Sequence, residues 1–312
     1  MRTPPLVLYH ANCYDGFTAA WVLARHVPDA EFAPVQYGDK NRPVCKGREV
    51  YVLDFSFKRE IMKQVIVESQ KTIILDHHRT AEAELTGIMQ EIRNDGVQRG
   101  GADKIVFDMN RSGAGITFDY FEAIADKKRG FKLPRHNEAR ASWLVDSVED
   151  RDIWRFALKG TAEVTAYLGS QPMTFESWNA IEKSGLDAAI MAGGYIMAYI
   201  EQYGEKACAM AKVEVIDGHE VPTMTLPYMN CSEHVTRLLE KYQGASFAAG
   251  YFRRADGLWQ FSLRSRSDFD VSEVAKKYGG GGHAQAAGFE TSLLPWGAGM
   301  AEDAGEPIVV SY

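Results

Sequence analysis

The fold of this chain is decided by the stretch Ile73-Ile74-Leu75-Asp76-His77-His78, in which an aliphatic run leads into an acid and two histidines. An apolar run this short, bounded by polar residues, is typical of a buried strand. Open α/β sheets bind ligands outside the carboxyl ends of their strands, so the DHH triplet (Asp76, His77, His78) would lie at that edge. Imidazole nitrogens and carboxylate oxygens together suit Mn²⁺, Zn²⁺ or Fe²⁺. An isolated triplet of this kind is better explained as a solvated surface turn, so the rest of the chain must decide between the two interpretations.

Two earlier segments repeat this pattern of an apolar run ending on a polar residue. Residues 6–9 lead into His10, and residues 49–53 lead into Asp54, and each segment is followed by a predicted helix. Alternating strands and helices predict a parallel, doubly wound sheet. Because parallel strands end at the same edge of a sheet, we expect His10, Asp54 and the DHH triplet to converge there.

Two further acidic positions have both a structural and a functional interpretation. Asp15 follows His10 in the stretch Ala11-Asn12-Cys13-Tyr14-Asp15-Gly16, and it is either the cap of the next helix or a metal ligand. A helix predicted over residues 136–148 leads into Glu149-Asp150-Arg151-Asp152. Carboxylates at a helix end often form salt bridges, but the polar strand ends elsewhere in the chain favour metal ligation here. The polar loop over residues 109–115 opens another predicted helix, whose N–H groups could bind an anion unless Ser112 only caps it.

The composition changes after Gly185. Residues 186–212 are predicted to form a long linker helix, and short strands follow it, so we expect domains over residues 1–185 and 213–312 with a cleft between them. Near the end, four glycines (residues 279–282) precede His283. Such glycines expose backbone N–H groups and allow a phosphate to approach closely, although a flexible loop would have the same sequence.

Charge and cysteine content limit the classes of function. The 312 residues carry 35 Lys and Arg against 42 Asp and Glu, a net charge of −7 that argues against extended duplex binding. The four cysteines form no CxxC pair, so neither a zinc ribbon nor a disulfide framework is indicated, and free thiols fit a reducing cytoplasm. The N-terminal stretch resembles no signal peptide, and no apolar run is long enough to span a bilayer, so we expect a cytoplasmic protein without a membrane partner.

Five motifs, taken in order, resemble those of the DHH phosphoesterases that carry a C-terminal DHHA1 domain. They read HANCYDG, VYVLDFS, ILDHH, VEDRDIW and finally SLRS with YGGGGHAQAAGF, and the resemblance extends to about Phe289. This superfamily includes RecJ exonucleases, nano-RNases, cyclic-dinucleotide phosphodiesterases and, in a related branch, manganese inorganic pyrophosphatases. The resemblance implies an α/β DHH domain with a mainly parallel sheet and a smaller α/β DHHA1 domain.

The resemblance also implies a hydrolase with two divalent metal ions, usually Mn²⁺, with Mg²⁺, Co²⁺ or Zn²⁺ as alternatives. It assigns metal binding to His10, Asp15, Asp54, His77 and Asp150. Within that set Asp54 bridges both ions, and Asp152 is a close alternative to Asp150. Asp76 would support His77 from behind, and His78 would face the substrate phosphate. Substrate binding is assigned to Arg264, Gly281, Gly282 and His283.

One position departs from the family pattern. Many relatives have two aspartates in the first motif, two residues apart; Asp15 matches the second, and Cys13 stands in place of the first. The first ion would then be held by His10, Asp54 and water, or by the Cys13 thiolate, which would favour a softer metal.

The function expected from these observations is metal-dependent hydrolysis of phosphodiester bonds in short oligonucleotides or small nucleotides, cyclic ones included. Two divalent ions would activate a water for this attack. One alternative is a phosphatase or pyrophosphatase acting on a small phosphorylated metabolite. Another is a nucleotide-binding protein with a degenerate metal site, which would bind no ions where the enzyme binds two. A short nucleic acid or nucleotide is the expected partner, and the sequence leaves a homodimer open.

Overall fold

The computed structural model describes residues 3–36, 42–99, 103–125, 142–226, 231–266 and 268–297. The chain forms two compact units, residues 1–197 and 198–312. The division falls within the long helix that the sequence predicts as a linker. No helix in the described ranges has the length and apolar character that crossing a bilayer requires.

The described part of the first unit alternates strands and helices, as the sequence predicts. Its strands are β1 (Leu6–His10), β2 (Glu31–Val35), β3 (Glu49–Leu53), β4 (Lys71–Asp76) and β5 (Lys104–Phe107). Its helices are α1 (Tyr14–His26), α2 (Arg59–Glu68), α3 (Arg79–Leu85), α4 (Ile88–Asn94), α5 (Gly113–Ala125), α6 (Trp143–Asp152), α7 (Thr161–Gly169) and α8 (Phe175–Ser184), and α9 (Leu186–Ala209) continues into the second unit.

The first sheet is parallel throughout, with strand order β2-β1-β3-β4-β5. The chain therefore winds in one direction from β1 to β2 and in the other from β3 to β5. Between β1 and β3 the order reverses, and in doubly wound sheets ligands bind at this switch point, outside the carboxyl ends of the strands. His10 ends β1 and Asp54 follows β3, so both lie at the switch point.

Both faces of this sheet are covered, because alternate residues of each strand point to opposite sides. Val7 belongs to the core shared with α1 and α5 to α8, whereas Leu6 and Leu8 belong to the core shared with α2, α3 and α4. Burying a Leu or Ile side chain fully contributes about 1.5–3 kcal/mol. A register slip of one residue would expose these side chains to the wrong face, so the cores fix where each strand ends.

The second unit is a mixed sheet with order β10-β11-β9-β8-β7-β6, in which only the pairing of β7 with β8 is parallel among the described strands. Its elements are β6 (Lys212–Ile216), β7 (His219–Thr225), α10 (Cys231–Lys241), β8 (Phe247–Arg253), β9 (Trp259–Ser265), α11 (Val271–Lys277), β10 (Gly281–His283) and β11 (Ala286–Thr291). Separate apolar clusters cover its two faces, one including residues of α11 and the other residues of α10.

Part of the glycine run over residues 279–282 forms a strand, which the sequence pattern does not predict. Gly281–His283 forms the edge strand β10, paired antiparallel with β11. Gly282 has φ of +146°, and a Cβ there would lie 2.5 Å from the Ala286 carbonyl oxygen. Only glycine therefore allows the two strands to approach this closely, so the run specifies a strand pairing rather than a flexible segment.

The helix predicted over residues 136–148 begins and ends later in the described structure. Helix α6 begins at Trp143, and its N-cap Ser142 accepts a hydrogen bond from the Val145 N–H, at 3.3 Å. Residues 136–141 lie outside the described ranges. At the other end α6 continues to Asp152, which places the acidic cluster on the last helical turns.

Candidate metal centre

Asp54 lies at the centre of a buried polar cluster at the carboxyl edge of the first sheet. Its Oδ1 is 3.0 Å from His77 Nε2, and its Oδ2 is 3.6 Å from His10 Nδ1. The backbone of Asp54 adopts φ of +52°, and its N–H donates to the Leu75 carbonyl of the neighbouring strand. The sheet thus fixes a carboxylate whose two oxygens point to two different histidines.

Two groups of three metal-type ligands share this carboxylate. One consists of His10, Asp54 and His78, and the other of Asp15, Asp54 and His77. Within each group the ligand atoms lie within 4.8 Å of one another, and no further group of this kind is found in the described ranges. The donor set fits two cations joined by one bridging carboxylate, which is the arrangement that two-metal hydrolysis requires.

Asp15 is held by the next element of the unit rather than by its own helix. Its Oδ2 accepts a hydrogen bond from the Gly113 N–H at 2.6 Å, and its Oδ1 accepts one from the Ala114 N–H at 2.9 Å. Helix α1 begins one residue earlier with Cys13 as N-cap and without a side-chain cap. The anion at the start of α5 is therefore the chain's own carboxylate, and its Oδ2 still lies 3.7 Å from His77 Nε2.

Two glycines allow this close packing, and sequence reasoning gave neither of them this role. A Cβ on Gly113 would lie 2.5 Å from the Asp54 Cβ, and a Cβ on Gly16 would lie 2.7 Å from the His10 carbonyl oxygen. Any larger residue would push the metal-type ligands apart. The sequence could have indicated this role only through position, because each glycine lies in the first turn of a helix that begins beside the polar cluster.

Asp76 accepts hydrogen bonds from both histidines of the triplet, whereas the family resemblance implies support of His77 alone. Its Oδ1 accepts hydrogen bonds from the His77 and His78 N–H groups, at 2.7 and 3.1 Å, and lies 2.7 Å from His78 Nδ1. The Ser56 hydroxyl donates to its Oδ2 at 2.7 Å. This hydrogen bonding orients the ring of His78 and leaves Nε2 as its outer nitrogen.

The acidic cluster at the end of α6 is arranged differently from the family-based assignment. The carboxylate of Asp150 accepts hydrogen bonds from three groups of the following turn, the Ala157 and Leu158 N–H groups and the Thr161 hydroxyl. By contrast, Asp152 Oδ2 lies 3.5 Å from His77 Nε2. Residues two apart on a helix face nearly opposite directions, so only one of the two aspartates can face the strand ends. The structure brings Asp152, the alternative, to the cluster.

Electrostatics show that the cluster needs positive charge. Burial raises the pKa of Asp15 well above its ordinary value, and the charges of Asp54 and Asp152 raise it further. Burial opposes ionisation of Asp54 too, but hydrogen bonds with His10 and His77 hold the pKa of its carboxyl well below the usual range. Burial lowers the pKa of His77, yet the hydrogen bond to Asp54 and the nearby carboxylates bring it to about 9. The buried carboxylates thus oppose one another's ionisation, and divalent cations would compensate their negative charge.

Cys13 contacts the shared carboxylate directly. Its Sγ donates a hydrogen bond to Asp54 Oδ2 at 3.3 Å. Burial, followed by the charges of Asp54 and Asp15, raises the pKa of this thiol. Within the described ranges, Cys13 falls in neither group of three metal-type ligands. As arranged here, the cysteine thiol is a hydrogen-bond donor to Asp54.

A buried arginine fixes the loop that leads into α5. Arg111 is 2% exposed, and its Nε lies 3.1 Å from Glu149 Oε2. It also pairs with Asp119, and Glu149 Oε2 accepts the Ser112 N–H at 3.1 Å. This network connects α6 to the start of α5, where the N–H groups that hold Asp15 are located. Sequence reasoning missed it, and the only signal was an arginine among small residues.

The candidate residues of the second unit lie on adjacent strands. Arg264 in β9 is opposite Ala286 in β11, which in turn is opposite His283 in β10. Residues directly opposite one another project from the same face of a sheet, so Arg264 and His283 share a face, roughly 10 Å apart at the usual strand spacing. Arg264 Nη1 donates to the Leu263 carbonyl at 2.7 Å, and His283 is exposed.

Comparisons with known proteins add family information to this geometry. Residues 229–298 match the DHHA1 domain family. The chain is 28% identical over 315 residues to the uncharacterized protein R106 of Acanthamoeba polyphaga mimivirus, a match covering 92% of this chain and 67% of that protein. A solved structure of PggH, a pGpG-specific phosphodiesterase from Vibrio cholerae, is 13% identical with a TM-score of 0.49, covering 92% of this chain and 93% of that one. An uncharacterized protein from Helicobacter pylori G27 is 16% identical with a TM-score of 0.31, covering 93% and 94%.

The DHHA1 match lies in the second unit, where the strands carrying Arg264 and the glycine run are found. In the first unit Asp76 ends β4 of a five-stranded parallel sheet, and His77 and His78 follow directly. Both halves of the sequence pattern are therefore present, in family order, on an α/β fold with two sheets. The chain therefore carries a DHHA1 domain over residues 229–298, and its first unit resembles the DHH phosphoesterases.

Proposed function

We propose that this protein is a metal-dependent phosphodiesterase that hydrolyses short oligonucleotides or small nucleotides, cyclic ones included. The observation that carries the proposal is the pair of ligand groups sharing Asp54 at the switch point of the parallel sheet. The DHHA1 domain supports hydrolysis of a phosphoric ester bond. The net charge of −7 favours short substrates, because long polyanions would be repelled by most of the surface.

In this proposal each group would hold one divalent ion. His10 and His78 would bind the first ion, Asp15 and His77 the second, and Asp54 both; Asp152 would complete the second site. When bound, the ions supply Lewis-acid activation of water and neutralise charge on the phosphate. The mixture of imidazole and carboxylate donors favours Mn²⁺, with Mg²⁺, Co²⁺ and Zn²⁺ as competitors for the same donors.

The chain's own residues would position the reacting groups. Asp54 would join the two groups, because its Oδ1 lies 3.0 Å from His77 Nε2 and its Oδ2 lies 3.6 Å from His10 Nδ1. Asp76 holds the ring of His78 and the backbone N–H of His77, and its hydrogen bond with His78 raises the pKa of that imidazole. A protonated His78 can donate from Nε2 to a phosphate oxygen, which is an alternative to metal ligation for the same nitrogen.

The residues of the second unit that the family resemblance assigns to substrate binding would bind phosphate oxygens. Arg264 supplies a guanidinium on the same sheet face as His283, and such a fork binds phosphate oxygens with two hydrogen bonds. Gly281 and Gly282 lie on an edge strand, where part of the backbone N–H groups point away from the sheet. These groups suit a second phosphate or the sugar-phosphate backbone of a short substrate.

A nucleotide-binding protein with a degenerate metal site is the second candidate function. The observation that favours it is Cys13, whose thiol occupies a hydrogen-bonding position on Asp54 where many relatives have a carboxylate. A phosphatase or pyrophosphatase would use the same metal-type ligands on a smaller substrate.

Metal content and turnover together separate these functions. The experiment is a screen with Mn²⁺ over linear dinucleotides, cyclic dinucleotides, nucleoside monophosphates and pyrophosphate, with metal analysis of the same protein. We expect two ions per chain and hydrolysis of dinucleotides. Two ions with turnover of pyrophosphate or monophosphates alone would favour the phosphatase, and nucleotide binding without metal or turnover would favour the binding protein.

The cellular location and the oligomeric state of the protein are further parts of the proposal. All four cysteines are free, which supports our proposal of a reducing cytoplasm as the protein's location. A homodimer stays a prediction, and size-exclusion chromatography with light scattering would measure it.

A further inference from the structure

Two large aromatic side chains are exposed immediately after the metal-type cluster. Trp154 is 71% exposed and Phe156 is 42% exposed. Their rings pack edge to face, with centroids 5.0 Å apart. Asp152, two residues before Trp154, lies 3.5 Å from His77. The aromatic pair (Trp154 and Phe156) therefore adjoins the proposed reaction centre along the chain, and an exposed apolar pair in such a place indicates ligand binding.

The backbone presents this pair in a fixed conformation. Trp154 and Phe156 have φ of +58° and +48°, a region that bulky residues rarely adopt. The Trp154 N–H donates to the Arg151 carbonyl, and the Phe156 N–H donates to the Asp150 carbonyl, at 3.1 and 3.3 Å. Strained backbone of this kind is concentrated at binding sites, where the surrounding structure maintains it. The hydrogen-bonded turn explains why the rings stay exposed instead of folding onto the core.

Arg151 gives the exposed ring a polar neighbour. Its guanidinium carbon lies 5.0 Å from the centroid of the Trp154 ring, within cation–π range. In the described part of the chain, no salt bridge of Arg151 is found. The charge is thus available to a substrate phosphate beside the ring.

We propose that Trp154 stacks on a nucleobase adjacent to the scissile phosphate, with Phe156 supporting the ring and Arg151 contacting the neighbouring phosphate. The inference rests on the proposed phosphodiesterase function and names its substrate as one that carries a base. An aromatic face stacks on any base, so this site selects for the presence of a base and not for its identity. A flat ring beside a cation fits a nucleotide better than it fits an inorganic phosphate or pyrophosphate.

The test compares Trp154→Ala and Trp154→Phe on two substrates, a dinucleotide and an abasic dinucleotide with the same phosphodiester bond. Loss of stacking on one base is expected to raise KM for the dinucleotide about 5- to 100-fold in Trp154→Ala, with a smaller rise in Trp154→Phe. KM for the abasic substrate stays unchanged, and kcat changes little. Leu158→Ala is the matched control, since it removes a nearby exposed apolar side chain outside the aromatic pair. Equal KM values for parent and Trp154→Ala on the dinucleotide would overturn the assignment.

A second readout separates this inference from the proposed function. Dinucleotide binding to metal-free protein should quench tryptophan fluorescence in the parent, and the quenching should disappear in Trp154→Phe. If the parent hydrolyses no phosphodiester but the quenching depends on Trp154, the base site stands and the hydrolase proposal fails. If the parent hydrolyses dinucleotides and the quenching is the same in Trp154→Phe, the hydrolase stands and the base site is wrong.

Discussion

His77 Nε2 lies 3.0 Å from Asp54 Oδ1, although the two residues are 23 positions apart in the sequence. The contact exists because β3 and β4 are adjacent parallel strands, with Leu53 opposite Leu75. Each strand therefore ends at the same level, and the first polar residues after each run meet. The proposed metal centre is a consequence of strand register, which the two apolar cores fix.

The two aspartates at the end of α6 should differ in what they affect. Asp152→Asn is expected to weaken one metal site about 10- to 100-fold, a typical effect for groups supporting a metal, without destabilising the metal-free fold. Asp150→Asn should leave metal affinity close to that of the parent. It should destabilise the fold by about 1–3 kcal/mol, because the N–H groups that donate hydrogen bonds to Asp150 lose a charged acceptor. Metal titration and denaturant unfolding measure the two effects. If Asp150→Asn weakened metal binding and Asp152→Asn only destabilised the fold, Asp150 would be the metal ligand instead.

Cys13 should influence the ion on the His10 side more than the other ion. Its thiol contacts Asp54 Oδ2, the oxygen that faces His10. Cys13→Ala is expected to lower affinity for one of two ions, whereas Cys13→Asp should keep or raise Mn²⁺-dependent activity by supplying a hard oxygen ligand. Calorimetric titrations with Mn²⁺ and Zn²⁺ on both variants test this. If Cys13→Ala binds both ions as tightly as the parent, the cysteine only packs against the carboxylate.

His283→Ala should weaken substrate binding without changing metal content. The residue lies on β10 in the second unit, on the same sheet face as Arg264, and it is exposed. We expect a higher KM for a dinucleotide and an unchanged number of ions per chain. Loss of metal at constant KM would show that His283 has a different role.

Replacing Arg111 should unfold the first unit more easily. Arg111→Met removes the buried guanidinium that pairs with Glu149 and Asp119, and breaking a buried ion pair from one side typically costs about 3–5 kcal/mol. The control is Lys58→Met, because Lys58 is exposed and its pair with Glu84 is solvated, so its loss should barely shift the unfolding midpoint. Denaturant unfolding of metal-free protein measures both variants. An equal, small effect of the two substitutions would contradict the role given to the buried network.

The strand ends of the first unit were predictable because the signal is local. A short apolar run followed by a polar residue marks the end of a buried strand, and parallel pairing brings such ends together. This reasoning placed His10, Asp54 and His77 correctly at one edge of a parallel sheet.

What could not be predicted depends on the orientation of helices relative to the sheet. The choice between Asp150 and Asp152 is set by the rotation of α6, which the sequence pattern leaves undetermined by about half a turn. The hydrogen bond from the Gly113 N–H of α5 to Asp15 joins residues 98 positions apart, and no local sequence pattern predicts it. The glycines before His283 predict exposed backbone N–H groups but give no sign of a strand, because permissive backbone is typical of loops as well as of strands that approach closely.

The central claim is that one carboxylate, Asp54, serves two metal ions. The direct test is calorimetric titration of Mn²⁺ into metal-free parent and Asp54→Asn protein. Asparagine suits this test because it tolerates positive φ better than most residues, so the backbone at +52° can be retained. The account predicts two ions bound by the parent, loss of affinity at both sites in the folded variant, and no hydrolysis by it. An Asp54→Asn protein that folds, binds two ions as tightly as the parent and turns over at the parent's rate would contradict it.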